Sequence, residues 1–285
     1  MASSELAIGH LAPSELDDAG ALVAESGWNQ VAADWRIFQE FGTAYAVRDH
    51  ARVIATAATL PYGRRAWISM VLVAGTHRRR GLATQLLNRC IADIQAKGLT
   101  PALDATPAGR TVYAPLGFQE CWGFARFASQ ARTPTLVSLP APIAVQSITD
   151  AMWTALCAYD AKIFGADRSY VLNRMRGRLP AANLFATRGD RITGMMLGRE
   201  GRTASHLGPL IAEDDATAIA LLHAALSAIS GTVYIDIADA KSEVRRWLEA
   251  SGFATQRPFT RMLLGQNRSL DDLGRTYAVI GPEFG

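Results

Sequence analysis

The chain has 285 residues, 49% hydrophobic and 19% charged, with a net charge of +3. This suits one large or two ordinary globular domains and excludes disorder as a description of the whole chain. The mild charge argues against a dedicated nucleic-acid binder, and the scattered Cys90, Cys121 and Cys157 suggest neither a disulfide framework nor a metal site.

In chain order, residues 14–24 predict a helix with an early acidic pair, followed by Gly27-Trp28. Residues 45–47 and 53–60 predict strands, with a turn at 61–63. Residues 67–74 predict a strand with a strongly apolar end. Apolar residues at 82, 86, 87, 90, 91 and 94 have helical spacing, and Gly98 supplies the stop. A short strand at 101–105, a short helix at 111–116 closed by Gly117, and a strand at 118–127 complete a mixed α/β pattern. The Pro-rich stretch 133–142 predicts a linker, leaving 1–132 and 143–285 as domains. No basic-then-apolar signal opens the sequence. The most apolar helical stretch, 216–229, is interrupted by His223 and falls short of the ~20 residues of a membrane span. A cytoplasmic protein without a membrane partner is expected.

Self-comparison supports the division. A shift of 135 positions superimposes Gly117-Phe118 on Gly252-Phe253, Phe124 on Phe259, Arg126 on Arg261 and Asp104 on Asp239. The sequence therefore predicts two copies of one fold.

The segment most suggestive of chemistry is 71–84, Val-Leu-Val-Ala-Gly-Thr-His-Arg-Arg-Arg-Gly-Leu-Ala-Thr. Here an apolar strand enters a basic, Gly-containing loop that opens a helix. Such a junction gathers unpaired N–H groups and the positive end of the helix dipole, so it suits a phosphate. It lacks the signatures of a P-loop nucleotidase or a dinucleotide fold.

Arg78-x-x-Gly81-x-Ala83 resembles the pyrophosphate-binding motif of the GNAT superfamily of N-acetyltransferases. Val112-Tyr-Ala-Pro-Leu-Gly-Phe resembles that superfamily's Tyr-x-x-x-Gly-Phe segment. The resemblance covers residues 5–130 and implies two tandem GNAT-like domains, each a mixed, mostly antiparallel sheet flanked by helices. It implies acetyl-CoA as donor, held by Val71, Leu72 and Val73 along the strand and by Arg78, Arg79, Arg80, Gly81, Leu82, Ala83 and Thr84 in the loop. It further implies transfer to a primary amine of a small molecule by direct attack on the thioester. Tyr113 would be the general acid, and a backbone N–H near Leu72 the oxyanion donor.

Trp28 and Asn29 stand where GNAT domains put acceptor-contacting loops, as do Asp34 and Trp35; a place in the core is the alternative for Trp28. The base is left open, because Asp104 also reads as a turn residue. The second copy departs from the motif: the same shift puts Glu213, Ala216 and Leu248 on Arg78, Gly81 and Tyr113, and Gly208-Pro209 interrupts the corresponding strand. That domain is expected to be degenerate and to shape the acceptor site through Asp160, Asp167 and Arg168; a solvated corner is the alternative for those three. The competing class is a non-catalytic acyl-CoA-binding sensor or structural protein. Oligomeric state is open, with a homodimer among the arrangements.

Overall fold

A computed structural model describes residues 6–130 and 143–285; the expected linker at 133–142 lies outside the described residues. Contacts divide the chain into two compact units, Met1–Leu103 and Asp104–Gly285. Residues 104–130, assigned to the first domain in the sequence reading, thus pack with the second half.

The first unit runs β1 (Ile8–His10), α1 (Leu16–Glu25), α2 (Ala32–Phe41), β2 (Thr43–Asp49), β3 (Arg52–Tyr62), β4 (Arg65–Val73) and α3 (Leu82–Ala96). It then enters β5 (Thr100–Ala105), which crosses the unit boundary. The sheet order is β1-β2-β3-β4-β5, antiparallel except for the β4–β5 pair. On α3 the helical spacing becomes a buried stripe of Leu82, Leu86, Leu87, Cys90 and Ile94. The helix α2 was not anticipated: Asp34 and Trp35 lie within it, fully buried, rather than in a contacting loop. Its start is fixed by the Asp34 carboxylate, which accepts the Val31 N–H at 2.9 Å.

The second unit contains α4 (Pro107–Tyr113), β6 (Phe118–Gln130), β7 (Ala144–Ser147), α5 (Asp150–Phe164), α6 (Ser169–Met175), β8 (Leu184–Arg188) and β9 (Arg191–Arg199). It continues with β10 (Ser205–Ala212), α7 (Asp215–Leu226), β11 (Thr232–Ala238), α8 (Ser242–Ala250), β12 (Ala254–Leu264) and β13 (Thr276–Ala278). The strand order is β12-β6-β11-β13-β10-β9-β8-β7. Its core gathers Leu221, Leu222 and Ala225 of α7 against Ile235 and Ile237 of β11 and Phe127 of β6.

The internal repeat appears here as a local twofold relation. Antiparallel β6 and β12 pair so that Phe124 faces Phe259, with ring centroids 5.1 Å apart. In the same register Arg126 lies opposite Arg257, and Arg261 opposite Trp122. The residues that self-comparison equates, Arg126 and Arg261, are thus carried symmetrically about the phenylalanine pair.

Candidate functional site

In the first unit, β4 changes its relation to both neighbours within a few residues. Its parallel register with β5 runs from Arg65↔Thr100 to Trp67↔Ala102 and is not continued toward Val73. On the other edge the register with β3 shifts between Thr56 and Ala58, with Met70 at φ 53°. A bulge increases local twist and re-aims the strand. The left-handed Met70 is held by the Thr56 hydroxyl, which donates to its carbonyl at 2.9 Å. Backbone strain of this kind, of order 1–3 kcal/mol, persists only where the surroundings fix it.

The loop after β4 is tied down from several sides. The Gly75 N–H donates to Glu25 Oε1 at 2.6 Å, and the Ala74 N–H to the Ile54 carbonyl at 2.8 Å. His77 Nε2 lies 3.1 Å from Asp49 Oδ2. Arg78 Nε donates to the Val73 carbonyl at 3.2 Å, and Arg80 to the Thr76 carbonyl at 3.2 Å. The backbone is left-handed at Arg79 (φ 62°) and again at Gly81 (φ 81°). Gly81 caps α3 without any side-chain hydrogen bond, and helical bonding begins with the Gln85 N–H to the Gly81 carbonyl at 3.0 Å. The N–H groups of the first turn are therefore left for a ligand. Among the described residues no side chain or distant backbone comes within 4 Å of where a Gly81 Cβ would stand, so the space beside the glycine is open.

A cavity of about 380 Å³ opens at this junction. Of the residues expected to hold the donor, Val71, Leu72, Val73, Arg78, Arg79, Gly81, Leu82, Ala83 and Thr84 line it, as does Trp28. Arg80 is exposed and outside the lining, while Asn29 is buried at 2% exposure and does not line it either. The lining adds Ser26 and His77, which sequence reasoning passed over. His77 could have been noticed, since it sits inside the basic loop. Glu25 could not, because only the tertiary fold brings the end of α1 to the loop.

In the second unit, Tyr113 is the last residue of α4, its ring 6.0 Å from that of Phe118. Burial raises its phenol above the usual value, so it stays protonated at neutral pH. Among the described residues no side chain bonds its hydroxyl. Asp104 is fully buried, and both its oxygens accept from Arg261 at 2.9 Å. Burial raises its carboxyl to about 6, against the pull of Arg261.

Asp160 and Arg168 pair bidentately at 2.8 and 2.9 Å with neither exposed. Arg168 also donates to the Gly285 carbonyl at 2.8 Å. Their hydrogen-bonding capacity is thus committed to anchoring the last residues of the chain. Asp167 is exposed and accepts the Ser169 N–H at 2.8 Å.

The second half builds a corresponding junction differently. Parallel pairing of β10 with β11 covers Ser205–Leu207 and Val233–Ile235. Beyond it β13 lies between the two strands, with Ala278 opposite both Leu210 and Ile237. The space between the diverging strands is filled by the protein's own backbone. A Cβ at Gly208 would fall 2.0 Å from the Val279 carbonyl, so glycine is what admits this segment. Gly208-Pro209 does not end the strand: β10 runs through it, with a register shift against β9.

Only two residues separate β10 from α7, and the α7 N-cap is Asp214, whose carboxylate accepts the Thr217 N–H at 2.9 Å. By helix start, the counterpart of Gly81 is Asp214 rather than the Ala216 given by a uniform shift, because this loop is shorter than the one before α3. Leu248, the counterpart of Tyr113, is buried. Among the described residues no cluster of His, Cys, Asp and Glu is placed to hold a metal, and no helix is long and apolar enough to cross a membrane.

Two family models match the chain. The acetyltransferase (GNAT) family covers residues 15–118, and an acetyltransferase (GNAT) domain covers 156–278. The curated N-acetyltransferase YitH of Bacillus subtilis (strain 168), described as uncharacterized, is 23% identical over 233 residues, spanning 82% of this chain and 81% of the relative. A proposed acetyltransferase from Pyrococcus horikoshii superimposes with a TM-score of 0.80 at 18% identity, covering 100% of this chain and 98% of its own. A tandem GNAT protein from the clavulanic acid biosynthesis pathway does so with a TM-score of 0.67 at 14% identity, covering 91% and 98%. This chain belongs to the GNAT superfamily and is an N-acetyltransferase of two tandem GNAT domains. The family draws its acyl group from acetyl-CoA.

Proposed function

We propose that the protein transfers an acetyl group from acetyl-CoA to a primary amine of a small molecule, by direct attack of the amine on the thioester. The observation that carries this reading is the uncapped first turn of α3, entered through two left-handed residues beside the free edge of β4. A pyrophosphate fits there, because successive N–H groups, the helix dipole and the Arg78 and Arg79 side chains all favour an anion. Bound there, acetyl-CoA supplies an activated acetyl thioester. Val71 to Val73 would bind the pantetheine amides through strand-like backbone pairing, and a backbone N–H near Leu72 would stabilise developing oxyanion charge, a donor typically worth ~3 kcal/mol.

Tyr113 is proposed as the general acid that returns a proton to the departing thiolate. Its support is a protonated hydroxyl that no side chain among the described residues bonds, and its place in the Tyr-x-x-x-Gly-Phe segment. The Asp104 carboxylate is already held by Arg261, which argues against it as the base. Trp28 and Asp167 remain acceptor-side proposals, whereas the mutual pairing of Asp160 and Arg168 argues against their reaching a substrate. The second half is proposed to bind no acetyl-CoA, given a self-capped helix, a filled cleft and Leu248 in place of tyrosine. A cytoplasmic location and a homodimer are further parts of the proposal.

The test is a calorimetric titration with acetyl-CoA of the wild type and of an Arg78→Ala, Gly81→Glu double variant. A turnover screen follows over tyramine, spermidine, glucosamine and kanamycin. One site per chain, lost in a folded double variant, is the expected result. Two sites would overturn the assignment of the second half, and no binding would overturn the donor site. Tight binding with no turnover on any amine would favour the sensor alternative.

A further inference from the structure

We infer that Arg261, contributed by the second half of the chain, is a positioning residue for Tyr113: it clamps the strand end that leads into α4. The inference rests on the reading of Tyr113 as general acid.

The segment that carries Tyr113 has little packing of its own. Helix α4 spans only Pro107–Tyr113 and contains no fully buried residue, Tyr113 itself being half-buried, and Val112 and Leu116 are 51% and 37% exposed. So short a helix is not stable by propensity and takes its placement from anchors at its ends. At its start, Thr106 is the N-cap, its hydroxyl accepting the Gly109 N–H at 3.1 Å. Asp104 stands two residues earlier, at the end of β5. Fixing the Asp104 carboxylate therefore fixes the point from which the capped helix departs.

Arg261 holds that carboxylate with a two-point fork, Nε and one terminal nitrogen at 2.9 Å each, where both partners are almost completely buried. The remaining terminal nitrogen donates to Asp271 at 2.8 Å. Asp271 is itself fixed by the Ser269 hydroxyl at 2.7 Å and by Trp122 Nε1 at 3.2 Å. The Trp122 ring packs under the guanidinium, 4.5 Å from its centre. A planar guanidinium with every edge engaged fixes orientation as well as charge, which an ammonium would not do.

Strand β12 also grips the far end of the segment. The Gly265 N–H donates to the Gly117 carbonyl at 3.0 Å, and Leu264 pairs with Phe118. Residues 104–118 are thus bracketed at both ends by one strand of the second half.

The repeat provides an internal control. Arg126 makes the corresponding fork to Asp236, three residues before the Asp239 that the uniform shift equates with Asp104, at 2.8 Å twice and equally buried; Asp236 also meets His206 Nε2 at 3.0 Å, and the second half has Leu248 where a tyrosine would be positioned. Arg126→Lys should therefore perturb a similar buried pair without a catalytic consequence.

The experiment compares hydrogen–deuterium exchange and steady-state kinetics of the full chain in the wild type, Arg261→Lys and Arg126→Lys. Acetyl-CoA and the fastest-turning amine of the panel serve as substrates. Peptides within 105–117 should exchange at least about tenfold faster in Arg261→Lys and unchanged in Arg126→Lys. The same Arg261→Lys variant should keep the KM for acetyl-CoA within about twofold and lose roughly tenfold or more in kcat. In a Tyr113→Phe background it should lose nothing further, as expected for two residues acting through one group.

Unchanged exchange in a folded Arg261→Lys protein overturns the bracket. An equal kcat loss with and without Tyr113 overturns its action through that residue. Should Arg261→Lys fail to fold, Asp271→Asn leaves the fork to Asp104 intact and releases one arm; unaltered exchange in 105–117 there counts against the proposal and faster exchange supports it. A Tyr113→Phe variant with undiminished kcat removes the general-acid reading, while the exchange data still decide whether Arg261 places the segment.

Discussion

Tyr113 illustrates how a single environment sets a proton's availability. Its phenol must be protonated to act as an acid, and burial raises its pKa, so the protonated form persists further into the alkaline range. The alkaline limb of kcat should therefore lie above about 10, the ordinary phenol value. Tyr113→Phe should lower kcat by about 10²–10⁴ and abolish that limb, read from rate profiles across pH. A limb that survives the substitution would assign it to another group. Asp104 shows the opposite lesson. Its residue type invited a role as base, but a neighbouring guanidinium occupies both its oxygens, leaving a structural part. Asp160 and Arg168 are a second instance, with two charged side chains that looked available in the sequence consumed by one another.

At the scale of elements, the two helices that follow the diverging strands differ mainly in how they begin. Helix α3 starts at a left-handed glycine and leaves its first N–H groups open, whereas α7 starts at Asp214, which closes its own. A carboxylate at an N-cap stabilises the helix and excludes an external anion from the same N–H groups. Asp214→Ala should destabilise the protein by about 1 kcal/mol, measured by urea unfolding. It should leave the acetyl-CoA stoichiometry at one per chain, because β13 still fills the space beside β10. A second binding site in that variant would show the carboxylate to be the sole barrier. The loops enforce the contrast, since the connection before α7 is too short to form a cradle like that of residues 74–81.

At the scale of the molecule, the second unit cannot be made from the second half alone. Strand β6, from the first half of the sequence, lies between β11 and β12, pairing with β11 from Phe124 to Gln130 and with β12 from Phe118 to Ala128. It also brings the buried Arg126 that neutralises Asp236. A fragment of residues 143–285 would expose two sheet edges and strip the Asp236 carboxylate of its guanidinium partner, leaving it, among the described residues, only His206 Nε2 at 3.0 Å. It should be unfolded or aggregated by circular dichroism and sedimentation, and a fragment starting at residue 104 should fold. A well-folded 143–285 fragment would refute the interlocking of the halves.

By itself the sequence determined what depends on local order along the chain. The helical spacing at 82–94, the basic loop with Gly81 and the Tyr113-to-Phe118 segment are short-range patterns recoverable from neighbouring residues, and the repeat is recoverable by comparing the chain with itself. The missed helix α2 shows the limit of that reading, since its start is set by a buried capping carboxylate and its burial by distant strands. Only the tertiary structure decided that β6 joins the strands of the second half, which charged residues pair, and that residues 276–278 fill the cleft between β10 and β11. The physical reason is that buried ion pairs and strand order depend on residues more than a hundred positions apart, such as Asp104 with Arg261 and Arg126 with Asp236. No local periodicity encodes those contacts.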